Sequence, residues 1–171
     1  MGNPIRDLSS RVMMMFGRGV LRGVNDANGR QQLQVELLKG ELRDGVEHMQ
    51  NYGFTSHPTG GDVAAASIGG NREQVIVLVV DDRRYRIPLE AGEVAMYDDL
   101  GNKIELLRDM VKITAVQHVE VMAPTIKLIG NLEVVGDITT TGTVTNNGKN
   151  IGSTHQHNGV TAGSGNTGAP I

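Results

Sequence analysis

Between Val111 and Val144 the sequence repeats one small unit: two aliphatic residues separated by a single position, then a corner. Val111/Ile113 is followed eight residues on by Val119/Val121, seven further by Ile126/Leu128 and six further by Leu132/Val134, and Ile138 and Val144 continue at six. Residues i and i+2 of an extended chain project to the same side, so each pair reads as one face of a short strand. Pro124, Gly130, Gly136, Gly142 and Gly148 fall between the pairs, the four glycines six apart. Short strands alternating with corners at a regular interval are the pattern of a β-helix or solenoid. The β-branched run Thr139–Thr141, with Thr143 and Thr145, supports extended chain at its end.

A repeat this short cannot enclose a core by itself, because one turn of a single-chain β-helix takes roughly three strands, about 20 residues or more. Three chains, each forming one side of a triangular prism, solve the problem. Cyclic symmetry closes the sheet and removes the edges that would otherwise aggregate. One chain laid out as a flat meander is the alternative, and it leaves a long edge unprotected. The expectation is therefore a homotrimer with a triple-stranded β-helix shaft over 98–150, thinning as the period shrinks. A narrow axis admits Val, Ile and Leu but not rings. The composition agrees: aromatics are 3% of the chain, and Phe16, Tyr52, Phe54, Tyr85 and Tyr97 all precede the shaft.

The part before the shaft reads differently. Residues 1–16 suggest a short helix: Asn3 can cap it, Pro4 suits its first position and Asp7 its first turn, and Ile5, Leu8, Val12 and Met15 form a stripe widened by Met13 and Met14. That stripe either packs on its own domain or docks a partner, since Met-rich faces adapt to other surfaces. Residues 17–97 show five to seven short strands separated by turns: Val20–Val24, Leu33–Leu37, Val46–Asn51, Asp62–Ser67, Gln74–Val80 and a polar return at Arg84–Pro88. A small closed barrel of the OB-fold type is the expected architecture. The fold class is thus all-β, with an apex at 151–171.

Composition excludes several functions. Net charge is −3 with a pI near 5.9, so the basic stripe of a nucleic-acid binder is missing. An OB-fold module gripping single strands would also need stacking rings in a basic groove. The chain has no cysteine, which removes disulfides, thiolate metal sites and a Cys nucleophile. No run approaches the roughly 18 apolar residues of a membrane-spanning helix. The N-terminus lacks the apolar core of a secretory signal, and Arg6 stands where myristoylation wants Ser or Thr.

Of the motifs, Thr154-His155-Gln156-His157 carries the most chemistry. On extended chain His155 and His157 share a face. Two imidazoles are too few for a tight site, but three chains on an axis offer six nitrogens, an octahedral set suited to iron or another transition ion. Asp81-Asp82 and Asp98-Asp99 read as solvated turns rather than catalytic pairs. The formal G-x-G-x-x-G at 163–168 lacks the strand and helix that a dinucleotide site requires. His48, His57 and His118 have no evident partners and read as structural or surface residues, and no catalytic constellation emerges.

Three stretches carry a resemblance: Met15-Phe-Gly-Arg-Gly-Val20, the block from His57-Pro-Thr-Gly-Gly-Asp62 to Val80, and the tail Ser153-Thr-His-Gln-His157 with Gly165-Asn-Thr-Gly-Ala-Pro170. With them the chain resembles the baseplate central spike proteins of contractile-tailed phages, in particular the baseplate assembly protein V type of Mu-like phages. The resemblance implies a non-enzymatic homotrimer in the virion tail baseplate, assembled in the host cytoplasm and seated on baseplate hub and tail tube proteins. It implies piercing of the host outer membrane on sheath contraction, and an apex iron, one per trimer, held by His155 and His157 of each chain with further small ions in the apex. The spike of a type VI-like machine or tailocin shares this physics, though those spikes usually belong to much larger chains.

Overall fold

A computed structural model describes residues 4–13, 15–27, 29–71, 73–156, 158, 159 and 163. The chain divides into two compact units, Met1–Glu120 and Val121–Ile171.

The first unit opens with helix α1, Pro4–Met13. The expected cap Asn3 and the stripe residue Met14 lie outside the described residues. Among the described side chains Ile5, Leu8, Val12 and Met13 stay exposed, and the helix lies close to the short 3-10 turn Ile68–Gly70. Its apolar stripe therefore does not enter the core of its own domain.

Five strands then close a barrel: β1 Phe16–Asn25, β2 Gln32–Leu38, β3 Glu41–His48, β4 Asp62–Ser67 and β5 Val75–Asp81, in the order β1-β2-β3-β5-β4. All pairings are antiparallel except β3 with β5, which closes the barrel in parallel. This Greek-key order is that of the OB-fold. The long strand β1 serves two neighbours. Its first half pairs with β4 and its second half with β2, with an irregularity between Leu21 and Gly23 that lets the strand turn the corner. Alternation supplies the core: Leu33 and Val35 of β2 are fully buried, and Leu21, Val46, Val63, Ala65 and Val77 complete the cluster. Each fully buried aliphatic contributes roughly 1.5–3 kcal/mol. The outer surface carries exposed ion pairs such as Arg22–Glu36 and Arg83–Asp62, which contribute little.

Two expectations change here. The third strand runs Glu41–His48 rather than Val46–Asn51. Arg84–Pro88 is not a strand. The Asp82 carboxylate accepts the Arg84 amide at 3.1 Å and grips the Arg84 guanidinium, while the Tyr85 amide donates to the Asp82 carbonyl, so the chain turns away from the barrel. Pro88 offers no donor to a ladder in any case.

Val94–Tyr97 pairs with later strands instead of the barrel. It is β6 of a three-stranded antiparallel sheet with β7 Lys103–Leu106 and β8 Val111–Thr114. Asp98 holds the β6–β7 turn: its Oδ1 accepts the amides of Leu100, Gly101 and Asn102 at 2.9–3.0 Å. These bonds, with that from the Asn102 side chain foremost, keep the Asp98 carboxyl below the usual carboxylate range.

From 115 to 144 the described chain forms no strand pairing of its own. The second unit regains a ladder only at β9 Thr145–Asn146 and β10 Lys149–Asn150, a two-residue hairpin. Asn147 (φ 48°) and Gly148 (φ 75°) occupy its turn, the left-handed pair that an Asn-Gly hairpin supplies.

Candidate functional site

Two features stand out: the apolar pairs and the segment carrying the histidines. The pairs face no core of their own chain. Val119 is 58% exposed, Leu128 68% and Ile138 70%, with Val121, Ile126, Leu132 and Val134 similarly open. Monomeric proteins rarely expose contiguous apolar surface on this scale.

The histidine segment is built from the hairpin outward. The Ile151 amide donates to the Val144 carbonyl at 2.8 Å. Asn150 then organises the next few residues, its Oδ1 accepting the Gly152 amide at 2.8 Å and its Nδ2 donating to Thr154 Oγ1 at 2.7 Å. A turn brings the His155 amide to the Gly152 carbonyl at 3.1 Å and the His155 ring Nδ1 to the same oxygen at 2.8 Å. A carbonyl only accepts, so Nδ1 is the donor in this bond. Metal-binding imidazoles are commonly oriented in this way, by a backbone acceptor on the other nitrogen. The His155 side chain is exposed. His157 lies outside the described residues, as does most of the 163–168 glycine motif. Among the described residues, no three His, Asp or Glu side chains gather into a metal-binding group within one chain.

The other histidines divide. His57 and His118 are exposed. His48 does have a partner, contrary to expectation: its Nδ1 lies 2.6 Å from Gln31 Oε1. Gln31 is buried, its Nε2 donating to Asp26 and, at 2.7 Å, to the Ser56 carbonyl; Gln50 joins through the same Oε1 and carbonyl. Burial lowers the His48 pKa below 6.5, with Asp26 opposing. The signal for this network was available, since Gln31 shares the inward register of Leu33 and Val35.

A cleft of about 430 Å³ between the barrel and the β6–β7 turn is lined by Asp81, Asp82, Asp98 and Asp99 with His57 and Tyr85. Asp82 and Asp98 are both engaged in turns, and hydrogen bonds hold both carboxyls acidic, from the Arg84 side chain in the first case and the Asn102 side chain in the second. This is the solvated-turn role, without the raised pKa of a general acid.

The N-terminal family model of bacteriophage Mu Gp45 matches residues 18–84, which cover the barrel from β1 to just past β5. The "baseplate puncturing device gp45" of Escherichia phage Mu is 42% identical over 118 residues, 68% of this chain and 60% of that protein. The "Mu-like prophage FluMu protein gp45" of Haemophilus influenzae is 31% identical over 152 residues, 80% of this chain and 84% of that protein. The match thus spans less than two thirds of the phage Mu protein. The class so defined is that of the Mu-type phage and prophage proteins, one of which is named a baseplate puncturing device. Within that class the chain belongs to the Mu Gp45 family.

Proposed function

We propose that the chain is the central spike of a phage tail baseplate, a homotrimer that pierces the host outer membrane when the sheath contracts. The observation that carries this reading is the series of exposed apolar pairs from Val119 to Ile138 on chain without strand partners of its own among the described residues. Three such segments around an axis would each bury their pairs against the other two and satisfy their backbone groups between chains. The product is a closed prism without edges, stiff because it is interdigitated and thin because only aliphatics line it. Force delivered through a fine stiff point disrupts a bilayer. The OB barrel would seat the spike on baseplate hub and tail tube proteins, a role consistent with the name of the phage Mu relative.

The tip has a different need, because a glycine-rich end cannot pack a core. The residues present fit a metal there. His155 offers Nε2, its ring held by the Gly152 carbonyl, and His157 two residues on would double the count to six nitrogens per trimer. Iron bound in that set would supply a cross-link between three chain ends, with further small ions deeper in the apex. Ligation needs neutral imidazole, so retention of the metal weakens below about pH 6. Joint replacement His155→Ala and His157→Ala is expected to abolish bound metal, read by elemental analysis of the purified protein, while the trimeric mass survives. A double variant that still carries one iron per three chains contradicts the assignment.

A further inference from the structure

The loop between β3 and β4 carries two of the five aromatic side chains of the whole sequence, and neither is packed. Tyr52 is fully exposed and Phe54 is 66% exposed. Apolar residues scattered singly over a surface need no explanation. Two rings on one tight turn, in a chain this poor in rings, do. The turn is also held in place. The Phe54 amide donates to the Asn51 carbonyl at 3.0 Å, and Gly53 between the rings takes the positive φ (84°) that the third position of such a turn favours. At the base of the loop Gln50 Oε1 accepts the Ser56 amide at 2.7 Å, and Gln50 Nε2 donates to the Ser56 carbonyl at 3.2 Å. The buried Gln31 donates to the same carbonyl at 2.7 Å, which ties the loop to the barrel interior. Rings fixed in advance lose little freedom when a partner covers them, and exposed Tyr in such a setting is a common binding anchor.

From Met49 to Gly61 the chain has no Asp, Glu, Lys or Arg, so the loop itself offers rings without charge. The charge lies directly behind it. Residues 55–59 line the cleft of about 430 Å³ that also holds Asp81, Asp82, Asp98 and Asp99 with Tyr85 and Tyr97. Two of these lining residues already hold a guanidinium: Arg84 bonds the Asp82 carboxylate and lies 5.1 Å over the Tyr85 ring.

We propose that the Tyr52–Phe54 turn and the cleft behind it form one docking surface for a different protein, whose basic surface takes the two rings into an apolar recess and presents an arginine or lysine to the cleft carboxylates. Charge complementarity selects this occupant. Four carboxylates beside the rings oppose an anionic lipid surface. A second copy of the chain has few cations to offer, because the described barrel arginines are engaged at home: Arg18 and Arg83 on Asp62, Arg22 on Glu36, Arg30 on Glu47 and Arg43 on Glu41. The surface belongs to the barrel and is separate from the shaft segment. It rests on the baseplate reading for the assembly in which the partner is found.

The test incorporates the photoreactive amino acid p-benzoylphenylalanine at Tyr52 of the full-length chain, irradiates purified tails of the phage or prophage that encodes it, and identifies adducts by mass spectrometry. The expected result is a cross-link to a protein other than this chain, at a peptide that contains Arg or Lys. A chain present in the tails that gives no adduct, or adducts only with its own copies or with lipid, overturns the docking surface and leaves the baseplate reading intact. Absence of the chain from purified tails overturns both. As independent variants, Tyr52→Ala with Phe54→Ala is expected to lower the amount of chain incorporated into tails at least tenfold, and Asp81→Asn with Asp99→Asn severalfold, each with the barrel's melting temperature unchanged. Undiminished incorporation of both variants contradicts the proposal.

Discussion

His48 sits where a β-strand end meets a buried amide, and its protonation is coupled to folding. The ring bonds Gln31 and is partly desolvated, so the folded protein holds it neutral to lower pH than the unfolded chain does. Between the two values the unfolded chain binds more protons, and stability rises with pH. The His48 contribution is present above about 6.5, is lost as pH falls through the window below, and levels off under the lowered folded value. Urea titrations of the full chain at a series of pH values should show this loss, and a His48→Gln variant should flatten it. An unchanged pH profile in that variant would remove His48 from the account. At this scale the sequence was only partly readable. Turn carboxylates such as Asp82 and Asp98 follow from their neighbours, because an Asx side chain binds amides two to four residues on. The Gln31–His48–Gln50 network depends on strands and a loop that meet only in the closed barrel, so the sequence reading did not find it.

Among the elements, the barrel strands were legible where alternation was clean. β4 is found at Asp62–Ser67, and β2 matches the run Leu33–Leu37 extended by one residue at each end. Of the separate β6–β8 sheet only the Val111/Ile113 strand was legible, because its pairs stand on strands of four residues whose partners are set by the turns at Asp98 and Leu107–Met110. The extended reading of Arg84–Pro88 failed for the complementary reason: Asp82 captures Arg84 locally before any strand can. One further backbone contact extends the β1–β4 pairing beyond the ladder. Gly61 (φ +121°) precedes β4, its carbonyl accepts the Leu21 amide at 2.9 Å, and an added Cβ would stand 2.6 Å from the Asp81 carbonyl oxygen. Gly61→Ala is therefore expected to cost on the order of 2 kcal/mol, measured by chemical denaturation. Gly17→Ala in β1, where a Cβ meets nothing and φ is ordinary, should cost less than about 1 kcal/mol. Equal effects at the two positions would contradict a structural role for the close approach at Gly61.

For the whole molecule, the repeat after Val111 determined more than any single motif. Spacing alone indicated strands too short to close a core, and the single chain indeed leaves those aliphatics exposed. In the proposed shaft the backbone donors and acceptors of this segment would pair between molecules. The central claim is accordingly a statement about stoichiometry. Sedimentation equilibrium of the full-length protein, with and without mild detergent, measures it directly. The account predicts a single species at three times 18.3 kDa, undiminished by detergent. A homogeneous species of 18.3 kDa under the same conditions would contradict it.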